Sequence, residues 1–152
     1  LIEGTNLSEG RGTTRPFEVM GAPFIDGFRL AKRMNEKKPN GIIARPTSFI
    51  PTYQKYKEEV CYGIQLHITD KRKVNSFKTG LYLLEAIAEL YPDKLSLGDE
   101  SVKRSFFNLL AGTNKLQNLI YRQETDCFLE ECEGQLETFA HQVEPFLIYK
   151  KS

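Results

Sequence analysis

The densest chemistry in the chain lies at its start. Residues 1–18 read LIEGTNLSEGRGTTRPFE, bringing together three glycines, three carboxylates, two arginines and a run of small hydroxyl side chains. Gly4, Gly10 and Gly12 allow sharp turns and let amide donors approach a ligand closely. Arg11 and Arg15 supply forked cationic donors that match a carboxylate. A phosphate cradle is the first chemistry such a loop invites. The GxxxxGK[ST] spacing is absent, however, the loop has no lysine, and Glu3, Glu9 and Glu18 would repel phosphate unless paired. Neutral, hydroxyl-rich ligands fit better, because Asn6, Ser8, Glu9, Thr13 and Thr14 mix the donors and acceptors that sugar hydroxyls and acetamido groups need. The competing reading is a polar loop that satisfies itself, with Glu9 or Glu18 paired to Arg11 or Arg15.

Other chemistries find less support. With 21 basic and 20 acidic residues the net charge is +1, too little for the long-range attraction that drives binding to nucleic acid or anionic lipid. No apolar run approaches the ~20 residues of a membrane span, and no charged-then-apolar leader precedes Leu1. A chain that starts at Leu is expected to be a processed or trimmed piece. Cys61, Cys127 and Cys132 leave at least one thiol unpaired and form no CxxC pair. A step of five residues turns a helix by about 140°, so the last two thiols would point apart. All three read as small buried hydrophobes. His67 and His141 are the only histidines, too few for an ordinary zinc site. No metal or cofactor is expected.

The elements that must position the opening loop are readable. Residues 1–24 are broken by glycines and by the Arg15-Pro16 and Ala22-Pro23 steps, with room for a short strand over residues 1–5. Asp26 caps a helix to about Asn35 whose apolar stripe is Phe28, Leu30, Ala31 and Met34. The Pro39-Asn40-Gly41 turn ends it. Residues 42–50 read as a strand, placed at a sheet edge or bulged at Pro46, which has no amide donor. VCYGIQLHITD, residues 60–70, alternates Val60, Tyr62, Ile64, Leu66 and Ile68 with Cys61, Gly63, Gln65, His67 and Thr69, giving one core face and one polar face. Phe77, Leu81, Leu84, Ala88 and Tyr91 recur at helical spacing up to Pro92. Residues 102–111 and 115–122 form two shorter helices divided by Gly112. A longer helix starts near Asp126, with Phe128, Cys132, Leu136, Phe139 and Val143 as its buried stripe and Glu130, Glu131 and Glu133 in water. Pro145 kinks or stops it, and residues 146–149 form an apolar tail that should pack. With 40% hydrophobic residues and 17 Phe and Tyr, the chain suits one domain, residues 1–152. The predicted class is α+β: a small, partly antiparallel sheet packed with about five helices.

EGTNLSEGRGTTRPFE, GAPFID, RPTSFIPTYQKY, CYGIQLHITD, GLYLLEAIAELYP and the closing FLIY, in that order, resemble the C-terminal half of a bacterial family formerly of unknown function. Its characterised members are exo-β-N-acetylmuramidases of the NamZ type, which release terminal N-acetylmuramic acid from peptidoglycan fragments. The resemblance implies a two-domain protein whose Rossmann-like N-terminal half carries the main catalytic glutamate and is absent here. It further implies that Glu3, Asn6, Ser8, Glu9, Arg11, Thr13, Thr14, Arg15 and Glu18, with Gln65 and His67, face a cleft shared with that half. Asn6, Ser8, Arg11, Thr13, Thr14, Arg15, Gln65 and His67 are then expected to bind a muramyl sugar. Glu3 or Glu9 would supply the second carboxyl of a glycosidase pair. The implied setting is the bacterial envelope, periplasmic or secreted. The alternative is a non-catalytic binding module for muramyl sugars or cell-wall fragments. A polar-face histidine such as His67 more often has a structural role. Tyr53 and Tyr56, flanking Lys55, either stack on a sugar or close the core edge. Lys71, Arg72 and Lys73 read as a loop.

Overall fold

The computed structural model describes residues 1–98 and 105–149 of the chain. Three antiparallel strands are arranged in the order β1-β3-β2, with β1 over Val19–Ala22, β2 over Ile42–Phe49 and β3 over Cys61–Ile68. Five α-helices accompany them: α1 (Gly27–Glu36), α2 (Ser76–Leu90), α3 (Phe106–Ala111), α4 (Leu116–Arg122) and α5 (Thr125–Val143). The fold is α+β.

β2 is an edge strand, so the missing N–H of Pro46 interrupts no central ladder. Two residues earlier on the same edge, the Asn35 side chain takes both backbone groups of Ala44, each at 2.9 Å. On the other margin, Ser8 forms a bridge to Gly21 of β1. The register pairs Ala44 with Leu66 and Pro46 with Ile64, which places these side chains on the helix-covered face. Arg45 pairs with Gln65 and Ile43 with His67 on the opposite face. The expected clean alternation along β3 fails at both ends. Cys61 and Gly63 are buried on the nominally polar face, while Tyr62 and Ile68 are exposed because the helices cover only the middle of the sheet. At Gly63 a Cβ would run into the Met20 carbonyl and the Gly21 Cα. At Gly27, the first residue of α1, it would run into the Gly63 carbonyl. Hydrogen there lets helix and strand backbones touch.

Asp26 caps α1 as expected, its Oδ1 accepting from the amides of Phe28 (2.9 Å) and Arg29 (3.1 Å). Phe28 is 78% exposed, contrary to the predicted stripe. The buried arc is Gly27, Leu30, Ala31 and Met34, and Phe28 lies about 100° round the helix from Gly27, which faces the sheet. α2 is buried on more than one stripe, with Leu81, Leu83, Leu84, Ala86, Ile87 and Ala88 all in the core. Its Glu85 is also buried, held by Lys37 Nζ at 2.7 Å and by the amide and hydroxyl of Thr125 at 3.0 and 2.6 Å. That carboxylate ties α1, α2 and the start of α5 together.

Several expectations need correction. Residues 2–4 form a 3-10 turn instead of a strand, closed by Gly4 N donating to Leu1 O and Thr5 N to Ile2 O. α3 begins at Phe106; the first residues of the predicted helix, 102–104, lie outside the described residues. Gly112, at φ 71°, divides α3 from α4 as read. In α5 only Thr125 and Leu129 are buried, whereas Leu136 and Phe139 are 64% and 59% exposed. Of the predicted stripe, Phe128 packs against the core and Cys132 is half-buried, while Leu136 and Phe139 beyond them face solvent. Phe146, Ile148 and Tyr149 are likewise exposed, not packed. Of the three thiols, all free, Cys61 alone is buried; Cys127 is exposed and Cys132 half-exposed. Burial, with Glu59 adding to it, pushes the Cys61 thiol up to about 11.

Two glycines give opposite expectations. Gly63→Ala should lose about 1–3 kcal/mol through overpacking against β1. Gly134→Ala, in α5 with open space around its Cβ, should gain about 0.5–1 kcal/mol. Urea denaturation of both variants checks this. In the native protein Cys127 and Cys132 should react with an aromatic disulfide at pH 8 while Cys61 reacts only on unfolding, as a timed thiol titration will show.

Candidate functional site

The opening loop is built around Glu9. Ser8 N donates to Gly21 O at 2.8 Å and Gly21 N to Ser8 O at 3.0 Å, which fixes the loop's start to β1. Gly10 at φ 76° and Gly12 at φ 79° turn the chain back, and Phe17 N returns to Glu9 O at 2.7 Å. The loop leaves through Glu18, whose carbonyl accepts from Leu66 N of β3 at 2.9 Å.

Glu9 is only 3% exposed, and both its oxygens meet cations. Oε1 lies 3.2 Å from Arg11 Nε, off the line of a good hydrogen bond, and Oε2 accepts from Lys55 Nζ at 3.1 Å. The Lys55 ammonium also donates to the carbonyls of Leu7 (2.9 Å), Glu3 (3.1 Å) and Ile2 (3.3 Å). Lys55 belongs to a loop in which Gln54, Tyr56 and Glu58 all have positive φ, a conformation that such residues adopt only when their surroundings fix it. Gly12 O is one anchor, accepting from the amide and hydroxyl of Thr52 at 3.0 and 2.8 Å. Another is the Tyr56 hydroxyl, which donates to Asn6 O at 2.8 Å and whose acidity is weakened chiefly by burial.

Arg11 reaches outward from this cluster. Its Nη2 donates to Glu3 Oε1, its guanidinium lies 5.3 Å from the centre of the Phe17 ring, and its side chain and that of Glu3 are 36% and 33% exposed. Arg15 pairs with Glu18 at 3.0 Å on the surface. The self-satisfied pairings, Glu9 with Arg11 and Glu18 with Arg15, are therefore both present. Asn6 is committed to the chain at residues 94–96, donating to Lys94 O and accepting from Ser96 N, each at 2.8 Å. Ser8 is buried, with its hydroxyl accepting from Gly10 N at 3.3 Å. Thr13 Oγ1 donates to Gly10 O at 2.6 Å and accepts from Arg15 N at 3.1 Å. Thr14 and Arg15 are exposed.

The structure thus brings Glu3, Glu9 and Arg11 into one network with Lys55. Gln65 and His67 lie half-buried on the open face of the sheet, in register with Val19, Arg45 and Ile43. Among the described residues no hydrogen bond or ion pair joins these two to the Glu9 network. Sequence reasoning named Lys55 only for the tyrosines beside it. Nothing in its spacing announces a partner 46 residues away, and positive φ at three non-glycine positions leaves no mark in a sequence. No group of three or more His, Cys, Asp or Glu among the described residues could hold a metal ion, and no described helix is long and apolar enough to cross a membrane.

A loop so completely tied down by its own carboxylates and glycines is a specific feature, and its sequence can be compared with known proteins. The family model described as "Exo-beta-N-acetylmuramidase NamZ, C-terminal" matches residues 1–149. The chain belongs to the NamZ C-terminal family. It is 38% identical over 150 residues to the peptidoglycan beta-N-acetylmuramidase NamZ of Bacillus subtilis (strain 168), covering 98% of this chain and 35% of that protein. The chain therefore spans about a third of the length of the curated relative it matches. A solved DUF1343 family protein from Bacteroides fragilis NCTC 9343 superposes with a TM-score of 0.82 at 25% identity, over 95% of this chain and 38% of that one. A second DUF1343 family protein from the same strain gives 0.61 at 24% identity, over 99% and 38%.

Removing the Lys55 ammonium leaves Glu9 buried with one oxygen unpaired. Lys55→Met should lose about 2–3 kcal/mol, less than a wholly buried pair because Lys55 is 29% exposed. Adding Glu9→Gln should recover part of that loss. A four-member denaturation cycle measures the coupling.

Proposed function

We propose that this chain is the C-terminal, substrate-shaping part of a peptidoglycan-processing glycoside hydrolase that releases terminal N-acetylmuramic acid. The observation that carries the reading is the family match across residues 1–149, which includes the whole Glu9 loop. The geometry supports it in one further way. Arg11 is fixed from below by Glu9, braced by Phe17 and engaged at Nη2 by Glu3, yet over a third of its side chain is open to solvent. A guanidinium held in that manner is pre-oriented for the lactyl carboxylate of a muramyl sugar.

Glycosidases pair two carboxyl groups across the scissile bond. Of the two candidates in this chain, Glu9 has both oxygens engaged by cations and acts as the anchor of Arg11. Glu3 reaches solvent and is the residue that could meet a substrate. The main catalytic carboxyl is then supplied by the remainder of the full-length protein, and the bacterial envelope or periplasm is where its substrate occurs.

A second reading, a muramyl-binding module without turnover, is favoured by the same commitment of Glu9. A chromogenic N-acetylmuramic acid glycoside separates the two. The chain alone should not hydrolyse it, whereas the full-length protein should. In that protein Glu3→Gln should lower kcat by about 10²–10⁴-fold with an unchanged Tm if Glu3 works as acid or base. Hydrolysis at the original rate removes Glu3 from the chemistry. Hydrolysis lost neither with Glu3→Gln nor with Arg11→Ala leaves the binding-module reading in its place.

A further inference from the structure

Away from the Glu9 loop, a groove of about 580 Å³ runs between the first turn of α1 and the edge of β2. Its volume lies within the roughly 300–1,000 Å³ of small-molecule sites. Two aromatic rings border it. Phe28 projects from α1 and is 78% exposed, and Tyr62 projects from β3 and is 49% exposed. Open aromatic faces beside a concave surface give a ring something to stack on. Polar groups lie between them. Ser48 brings a hydroxyl and Pro46 the outward carbonyl of an edge position whose N–H is absent, whereas the Thr47 side chain, in register with Gly63, belongs to the opposite face. Asp26 commits Oδ1 to the first amides of α1, leaving Oδ2 without a partner among the described residues.

Each of these features narrows the ligand. The capping amides of α1 are already occupied by Asp26, so the groove is no anion site. Among the described residues Asp26 is its only charged lining residue, and a second carboxylate there would be repelled. Flat aromatic faces with a hydroxyl, a carbonyl and a carboxylate between them suit a ring with one apolar C–H face and several hydroxyl donors. The groove is also fixed in shape, because the glycine contact of Gly27 on Gly63 seats the first turn of α1 directly on the sheet. We infer that this groove is a subsite for an uncharged pyranoside, separate from the arginine-bearing loop, where a sugar acid would bind. The choice of a sugar acid for the loop rests on the reading proposed above; the groove's preference for a neutral ring rests on its own lining.

The test uses the full-length protein and two probes, the N-acetylglucosamine trisaccharide and N-acetylmuramic acid, followed by calorimetry and saturation-transfer NMR. The trisaccharide should bind the unmodified protein. Phe28→Ala and Tyr62→Ala should each weaken it by about tenfold, the equivalent of one lost aromatic contact. Tyr62→Phe, which keeps the ring, should bind nearly as well as the unmodified protein. N-acetylmuramic acid binding and Tm should not change in any of the three, since both rings are exposed. No binding of the trisaccharide at millimolar concentration, or equal binding by both alanine variants, overturns the inference. The two readings fail separately. Absent hydrolysis with ring-dependent trisaccharide binding sinks the muramidase, and intact hydrolysis without such binding sinks the groove.

Discussion

The arrangement of the whole N-terminal region depends on one buried carboxylate. Glu9 would be untenable at its depth without compensation, because an ionised group removed from water loses solvation that only paired charges and hydrogen bonds restore. Lys55 and Arg11 supply the charge, and each is fixed in turn by it. Lys55 reaches Glu9 while binding three backbone carbonyls of the 3-10 turn and the segment after it. The strained loop around Lys55 and the polar loop around Arg11 therefore form one unit. Arg11, with Glu3 beside it, is where this internal network meets solvent.

A comparable device is built on Glu85. Glu85, in the middle of the most buried helix, joins Lys37 at the end of α1 to Thr125 at the start of α5. Beside these carboxylates the fold has an ordinary apolar core of Leu, Ile, Met, Ala and Phe side chains. The backbone contacts of Gly21, Gly27 and Gly63 bring the sheet and α1 closer than side chains would permit. The core supplies most of the stability, and the two buried carboxylates fix which segments meet.

Legibility in the sequence followed locality. The Asp26 cap, the stop at Tyr91-Pro92, the break at Gly112 and the edge position of Pro46 are each encoded within a few residues, and all appear in the structure. The helical period of α5 was equally legible, yet periodicity reports which face could be buried and not whether a surface exists to bury it. Leu136 and Phe139 show the difference. For the candidate site, the pairings of Glu9 with Arg11 and Glu18 with Arg15 were readable from short spacing. The role of Lys55 was not, since it arises from long-range closure of a loop whose backbone angles no residue type announces. Phe28 misled for a similar reason: hydrophobic and near the buried arc, it lies one step off the face that Gly27 turns toward the sheet.

The margins of the sheet carry a last consequence. On one side Asn35 and Pro46 occupy the edge of β2, and on the other Ser8 occupies that of β1. Borders interrupted in this way offer an incoming strand fewer free backbone groups than an open edge would. The same interruptions work against edge-to-edge pairing of identical copies, the route by which exposed sheet edges grow into fibres.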